Sequence, residues 1–302
     1  MTNKEIKKNL SQRLATLIVN LSYLERIAKK WQLNQQNSQL KLSKVEKVLV
    51  GSYLILLHYS QGIFPPTFDD QQKVYENEKK YRESMPGVSL EQALDSVRRK
   101  PFWFKARDYQ FLRDFIRIAK YLEQLDITPP MKILELGCGG GWLSEFLAIM
   151  NFDVIGSTLA SVDVAEGKRR IQALKTKEIP AKLDYIESPM ESVDKCLPKQ
   201  AVGKFDCVLV YEALHHAYSW EDTIEAAHRC LASNGILFIC REPNLIHTLS
   251  SYRISILTNT HEIGFDKKKL VQKLKRTGFQ RITDFNGKFG FGIRPIWLAA
   301  RK

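Results

Sequence analysis

The chain has 302 residues, 44% of them hydrophobic and 26% charged, with a formal net charge of +13. That length holds one large domain or two modest ones, and the composition excludes a disordered or fibrous chain. Five cysteines without a C-x-x-C pair and six histidines without ligand spacing exclude a disulfide framework and a zinc site, so the expectation is a cytoplasmic protein with reduced thiols and no metal.

The charge is unevenly placed. Residues 1–100 carry +7, residues 101–240 carry −3 and residues 241–302 carry +9. A basic margin of this kind suits nucleic acid, an anionic membrane or an anionic substrate, or is simply a solvated face. Met1 to Asn9 is polar and no apolar stretch with a small-residue cleavage site follows, so no secretory leader is expected.

In chain order, residues 4–31 read as a long amphipathic helix. Leu10, Leu14, Leu17, Leu21, Leu24, Ala28 and Trp31 form its apolar seam, alternately four and three residues apart. A core-facing stripe explains the seam, and a homodimer through these helices is the alternative. Asn34 to Gln39 is a polar break, and a second helix is expected from Lys41 to Tyr59. Its apolar run from Val48 to Leu57 is too short to span a bilayer, which needs about 20 residues.

Further helices are expected over Asp70 to Ser84, Leu90 to Arg99 and Tyr109 to Leu125. Ser89 and Gln92 are spaced as a capping box. Residues 98–107 mix basic and aromatic side chains, which suits either stacking on a nucleic acid or an ordinary amphipathic join. Asp126 to Pro130 is a hinge. Residues 1–125 are thus read as a helical region for acceptor binding or self-association, and residues 126–302 as a second domain.

Beyond the hinge, strands alternate with helices, the pattern of a parallel sheet covered on both faces. Strands are expected at 131–136, 152–157, 182–187, 205–211 and 235–241, with helices near 142–150, 162–177 and 220–232. A connecting segment follows Asn244. A helix at 266–277 capped by Gly278, and strands near 280–286 and 294–300, close the chain.

The first of these strands runs into Glu135-Leu136-Gly137-Cys138-Gly139-Gly140-Gly141, with helical spacing of Leu143, Phe146 and Leu147 just beyond. Glycine suits such a turn because a Cβ would block the tight backbone and the approach of a ligand. Free N–H groups at the helix start favour an electronegative ligand group. The dinucleotide pattern G-x-G-x-x-G fits poorly, because Trp142 stands at its sixth position. The pattern Glu135-x-Gly137-x-Gly139-x-Gly141 instead resembles motif I of the class I S-adenosylmethionine-dependent methyltransferases.

The resemblance extends along residues 131–243. Phe205-Asp206-Cys207-Val208 and Leu214-His215-His216 resemble the fourth-strand motif of that family. Residues 229–237 resemble the segment before its fifth strand, and Glu242-Pro243 the end of that strand. Order and spacing are similar to those of the small-molecule, methyltransferase type 11-like branch.

The resemblance implies an α/β Rossmann-like, seven-stranded, mostly parallel sheet whose last strand is antiparallel. It also implies S-adenosyl-L-methionine as cofactor. The cofactor-binding residues it implies are Glu135, Gly137, Cys138, Gly139, Gly141, Thr158, Met190, Glu191, Tyr211 and Glu212. Thr158 stands where the family usually has an acid for the ribose hydroxyls, and an uncharged hydroxyl binds less firmly.

His215 is the candidate general base, since imidazole titrates near neutrality; a hydrogen-bonded structural role is its alternative. Glu242 is expected to orient a backbone loop. The functional expectation is methyl transfer to a small-molecule acceptor. The alternatives are tRNA or rRNA methylation, or a catalytically silent binding domain.

Overall fold

The computed structural model describes residues 24–38, 40–66, 69–81, 88–102, 109–286 and 294–302, with residues 9, 12, 13, 15 and 16 besides. In chain order the helices α1 (Glu25–Gln36), α2 (Lys44–Ser60), α3 (Gln71–Lys79), α4 (Leu90–Arg99) and α5 (Gln110–Gln124) come first. Then follow β1 (Lys132–Leu136), α6 (Trp142–Ile149), β2 (Asp153–Thr158), α7 (Ser161–Thr176), β3 (Lys182–Glu187) and β4 (Phe205–Tyr211). The chain continues through α8 (Trp220–Cys230), β5 (Leu231–Glu242), α9 (Thr248–Thr258), α10 (Lys267–Thr277), β6 (Arg281–Asp284) and β7 (Ile296–Arg301).

Backbone packing divides the chain into two units. One comprises residues 1–89 and 245–264, and the other residues 90–244 and 265–302. The helices α4 and α5 therefore go with the sheet, and α9 goes with the early helices.

In the helical unit, Trp31, Leu42, Val50, Leu54 and Tyr252 form the buried cluster. The helix α2 starts on a capping box, in which the Ser43 side chain accepts from the Glu46 N–H and Glu46 accepts from the Ser43 N–H. Gly51 lets α2 run against α9, because a Cβ there would lie 1.9 Å from the Leu249 carbonyl oxygen. Two local expectations are corrected here. Asn34 does not begin a polar break: it lies within α1, is fully buried, and the helix continues to Gln36. The segment after Asn244 is not plain connection but contains α9, whose Ser251, Tyr252, Arg253 and Ser255 are buried. That helix escapes periodicity analysis because its polar and apolar residues are buried alike.

Of the expected N-terminal seam, Leu10, Leu14, Leu17 and Leu21 lie outside the described residues, as do 103–107 of the basic–aromatic stretch. No described helix is long and apolar enough to cross a membrane.

The other unit is built on a seven-stranded sheet in the order β3-β2-β1-β4-β5-β7-β6. Strands β1 to β5 pair in parallel, while β7 is antiparallel to both β5 and β6, as the resemblance implied. The central strands are mostly apolar because both faces are covered. Leu134, Leu136, Val208 and Val210 face α8 and α10; Ile133, Cys207 and Leu209 face α5 and α6. Strand order reverses between β1 and β4, so a crevice opens at their carboxyl ends, where such sheets bind ligands.

Candidate active site

The turn after β1 takes a backbone that suits glycine. Gly137, Gly139 and Gly141 have φ values of +65°, +52° and +75°. A Cβ on Gly137 would lie 2.5 Å from the Ala213 Cβ and 3.3 Å from the Met190 Sδ. A Cβ on Gly141 would lie 2.4 Å from the Tyr185 ring. The glycine turn, the loop after β3 and the loop after β4 therefore meet at one point on the carboxyl edge. These three stretches are far apart in sequence, and sequence reasoning had placed candidate residues on each.

The turn is held from several sides. The Cys138 N–H donates to the Ser157 carbonyl at 2.9 Å, and the Tyr185 hydroxyl to the Gly141 carbonyl at 2.9 Å. Arg170 Nε donates to the Gly140 carbonyl at 2.7 Å, while its Nη2 donates to the Val97 carbonyl at 3.0 Å. Through Arg170, the helix α4 is tied to the glycine turn. Neither Arg170 nor Tyr185 was singled out from sequence; each sits on an ordinary amphipathic element with no motif around it.

Glu135 lies just inside the turn and is buried. Its carboxylate accepts a hydrogen bond from the Ser144 hydroxyl in the first turn of α6. Burial pushes its carboxyl up to about 7, against the opposing Ser144 hydrogen bond. Thr158 ends β2 and is buried, and its carbonyl accepts the Ser188 N–H at 2.8 Å, fastening β2 to the loop after β3. In that loop Met190 reaches the glycine turn. Glu191 reaches instead toward the start of α8, where its Oε1 accepts the Ser219 N–H at 3.0 Å.

Two networks organise the loop after β4. The first centres on Glu242 at the end of β5, which is fully buried. Its Oε1 accepts the N–H groups of Ala213 and Leu214 at 2.8 and 2.9 Å. Its Oε2 accepts the His215 N–H at 3.2 Å and pairs with His215 Nδ1 at 2.8 Å. One carboxylate thus supports three consecutive backbone amides and one imidazole. Because a carboxylate oxygen accepts, Nδ1 is the donor and the proton-accepting lone pair of His215 sits on Nε2. The His215 and His216 rings lie 4.2 Å apart.

The second network lies beneath Tyr211. The Tyr211 hydroxyl donates to Asp114 Oδ2 at 2.8 Å. Arg241 Nε lies 3.1 Å from the same Oδ2 and 2.8 Å from Glu212 Oε1. Burial raises the Asp114 carboxyl, opposed first by Arg241 and then by the Tyr211 hydrogen bond. Glu212 and Arg241 have φ values of +47° and +58°, the left-handed region that a non-glycine enters at a cost. Trp142, beside the glycine turn, packs edge-to-face on both Phe111 and Tyr211.

The candidates therefore separate into two groups. Gly137, Gly139 and Gly141 make the turn, Met190 meets it, and Tyr211, Glu212 and His215 flank Ala213, which lies against Gly137. Glu135 and Glu191 use their carboxylates to hold neighbouring protein. Asp114 and Ser144 were missed by sequence reasoning, since each is a lone polar residue on an apolar helical face.

Comparison with known proteins gives the same outline. Residues 134–239 match the family model described as a methyltransferase domain. The ubiquinone biosynthesis O-methyltransferase of Azotobacter vinelandii is 31% identical over 138 residues, 45% of this chain and 56% of that protein. The enzyme of the same name from Pelagibacter ubique is 31% identical over 128 residues, 42% of this chain and 47% of that protein. This chain thus spans about half the length of the curated relatives it matches. Among solved structures, the magnesium protoporphyrin IX methyltransferase of Synechocystis PCC 6803 superposes with a TM-score of 0.52 at 15% identity, over 78% of this chain and all of that one. The CMeT domain of the citrinin polyketide synthase gives 0.53 at 15% identity, over 76% and 66% of the two chains.

Proposed function

The chain carries a class I S-adenosylmethionine-dependent methyltransferase domain, and from this we propose that it methylates a hydroxyl-bearing small molecule. The observation that carries the proposal is the His215–Glu242 pair beside the glycine turn. In this reading it supplies a base whose tautomer the Glu242 carboxylate selects, two residues beyond the Ala213 that lies against the glycine turn. The names of the curated relatives support oxygen as the atom methylated.

The site fits the cofactor on its own geometry. All three glycines take left-handed backbone, and a Cβ on Gly137 or Gly141 would run into Ala213 or Tyr185, so the turn keeps a bare backbone for a ligand to approach. In this reading the backbone of Gly137, Cys138, Gly139 and Gly141 holds the methionine portion, with Glu135 bracing the turn through Ser144. Thr158 offers its hydroxyl to the ribose in place of an acid, and Met190 and Glu191 flank the adenine side. Tyr211 and Glu212 face the sulfonium side through their backbone. When bound, S-adenosyl-L-methionine supplies a methyl group on a positively charged sulfur.

The chain's own part is orientation, exclusion of water and movement of one proton. His215 Nε2 takes the proton of the acceptor hydroxyl as the oxygen becomes nucleophilic. Glu242 is a positioning residue: it keeps Nδ1 protonated, so that Nε2 stays a base, and it stabilises the imidazolium that forms. This is the logic of an oriented imidazole in acyl-transfer triads.

The helical unit is assigned, as part of the proposal, to acceptor recognition or self-association through the early helices. Light scattering of the full chain separates the two, because a stable dimer doubles the mass. The five free cysteines support a reducing, cytoplasmic setting.

The test is a methyl-transfer assay with isotopically labelled cofactor, run in parallel on a metabolite extract and on total RNA. Label in a small molecule, lost in His215→Ala but with cofactor binding retained, is the expected result. Label in RNA alone would give the reaction to a nucleic acid, and no label with tight cofactor binding would make the domain catalytically silent.

A further inference from the structure

Arg170 of α7 stands where α4 meets the glycine turn, and its side chain is largely buried. One guanidinium serves three carbonyls and a carboxylate there. Nε donates to the Gly140 carbonyl at 2.7 Å, and Nη1 to Glu145 Oε2 on α6. Nη2 donates to the Val97 carbonyl at 3.0 Å and to that of Arg98 at 3.5 Å. Both of these carbonyls lie in the last turn of α4, where a helix has acceptors without partners of its own. A second contact repeats the connection. A Cβ on Gly140 would lie 2.4 Å from Val97 Cγ1, so Val97 rests on the bare backbone of the turn. Little else seats α4, since Ala93 is the one buried residue of that helix.

Four of the five residues from Gly137 to Gly141 are glycine, so the turn has much backbone freedom to lose when a ligand orders it. A group that already holds the turn in one shape removes part of that cost from binding. Arg170 holds the Gly140 carbonyl, and with it the plane of the Gly140–Gly141 peptide. The same guanidinium loses two acceptors if α4 lifts away. Order in the turn and docking of α4 therefore depend on one side chain. Such coupling is reciprocal: by whatever factor docked α4 raises a ligand's affinity for the turn, the ligand raises the docking of α4.

We propose that Arg170 is a positioning residue for the cofactor, and the latch through which cofactor binding and docking of α4 strengthen each other. The proposal rests on the reading of the glycine turn as the S-adenosyl-L-methionine site. It adds to that site a residue outside the motif and a helix that precedes it in the chain.

The experiment pairs calorimetric titration of S-adenosyl-L-methionine with hydrogen exchange on the full chain, in the natural protein, R170M, R170K and E145Q. R170M keeps the alkyl stem and loses every donor, and should weaken binding about ten-fold. R170K keeps the charge without the fork and should fall between R170M and the natural protein. E145Q removes only the charge of the ion pair and should bind within about two-fold of the natural protein. Saturating cofactor should slow exchange of the α4 amides in the natural protein and in E145Q, and leave it unchanged in R170M. No binding by the natural protein overturns the cofactor reading and this proposal together. Binding by the natural protein with equal affinity in R170M overturns the proposal alone. Protection of α4 that survives in R170M overturns it as well, because the cofactor would then act on the helix without the latch. Weakening in E145Q as large as in R170M makes Arg170 a brace between α6 and α7 and refutes the positioning role. Should R170M fail to fold, R170K and the natural protein decide: unchanged affinity in the first, or no cofactor-dependent protection of α4 in the second, refutes the latch.

Discussion

Glu135→Gln should remove a pH dependence of stability that can be worked out from its surroundings. The carboxyl moves from an ordinary 4.5 to about 7 on folding, chiefly because burial disfavours its charge. At roughly 1.4 kcal/mol per decade, that amounts to about 3 kcal/mol. Below 4.5 the group is protonated in both states and costs nothing. Between 4.5 and 7 the folded protein holds more protons than the unfolded chain, so stability declines as pH rises. Above about 7 the interior holds a carboxylate, braced only by Ser144, and the cost is complete and constant. The glutamine variant keeps the acceptor for Ser144 and carries no charge. Urea unfolding of both proteins without cofactor at pH 5, 6, 7 and 8 isolates the effect, because other titrating groups cancel in the difference. The variant should gain on the natural protein by about 1–3 kcal/mol across that range. A difference that does not change with pH, or that shrinks as pH rises, would refute the account of Glu135 as a buried acid of raised pKa.

Gly139→Arg places a side chain on a backbone with φ of +52° in the turn, and should abolish cofactor binding in a calorimetric titration; retained affinity would exclude this turn as the site. Glu242→Gln puts an amide donor against N–H groups that need acceptors. It should destabilise the protein by about 2 kcal/mol and lower kcat by about two orders of magnitude, with a small change in the KM for cofactor. A normal kcat in that variant would remove the tautomer argument. Gly51→Ala drives a methyl into the Leu249 carbonyl and should cost about 1–3 kcal/mol in denaturant unfolding; an unchanged midpoint would mean that α2 and α9 part without penalty. Replacing Lys268, Lys269 and Lys275 with glutamine should leave filter binding of tRNA weak and unchanged. Leu270 and Leu274 bury the inner face of α10, Lys267 and Lys273 pair with Asp284 and Glu225, and the exposed lysines simply flank that packed helix.

The sheet was legible because its strands obey one simple rule. Cys207 to Tyr211 is buried on both faces and reads as an unbroken apolar run, and Ile133 to Leu136 is apolar but for Glu135. The glycines were legible because left-handed backbone admits few other residues. Helix α10 announced itself through Gly278, which stands at φ of +111°; the Asp266 side chain that caps its Lys268 N–H was not read from sequence. By contrast, α9 buries Ser251, Arg253 and Ser255 as well as Tyr252, so no amphipathic stripe marks it. A sequence window scores those residues as solvent-facing. Only the partners, the Glu262 carbonyl for Ser251 and the Thr260 carbonyl for Ser255, explain why they are inside.

The same reason accounts for what could be read of the site and what could not. Motif residues act through backbone shape, which is local and therefore written in local sequence. Glu242 and His215 act through a contact 27 residues apart in the chain, and Tyr211 and Asp114 through one 97 residues apart. The end of β5 was expected to orient a loop because a buried acid at a strand end must find donors. Which donors it finds depends on β4 and β5 lying side by side in register, Tyr211 against Cys240. That register sets Glu212 and Arg241 next to each other just past the pairing, both in left-handed backbone. The Arg241 side chain binds Glu212 and Asp114 together, so one ion network holds two strained residues at the mouth of the crevice. The strain and its restraint belong to one device, which fixes the direction in which the chain leaves β4 and therefore where His215 stands.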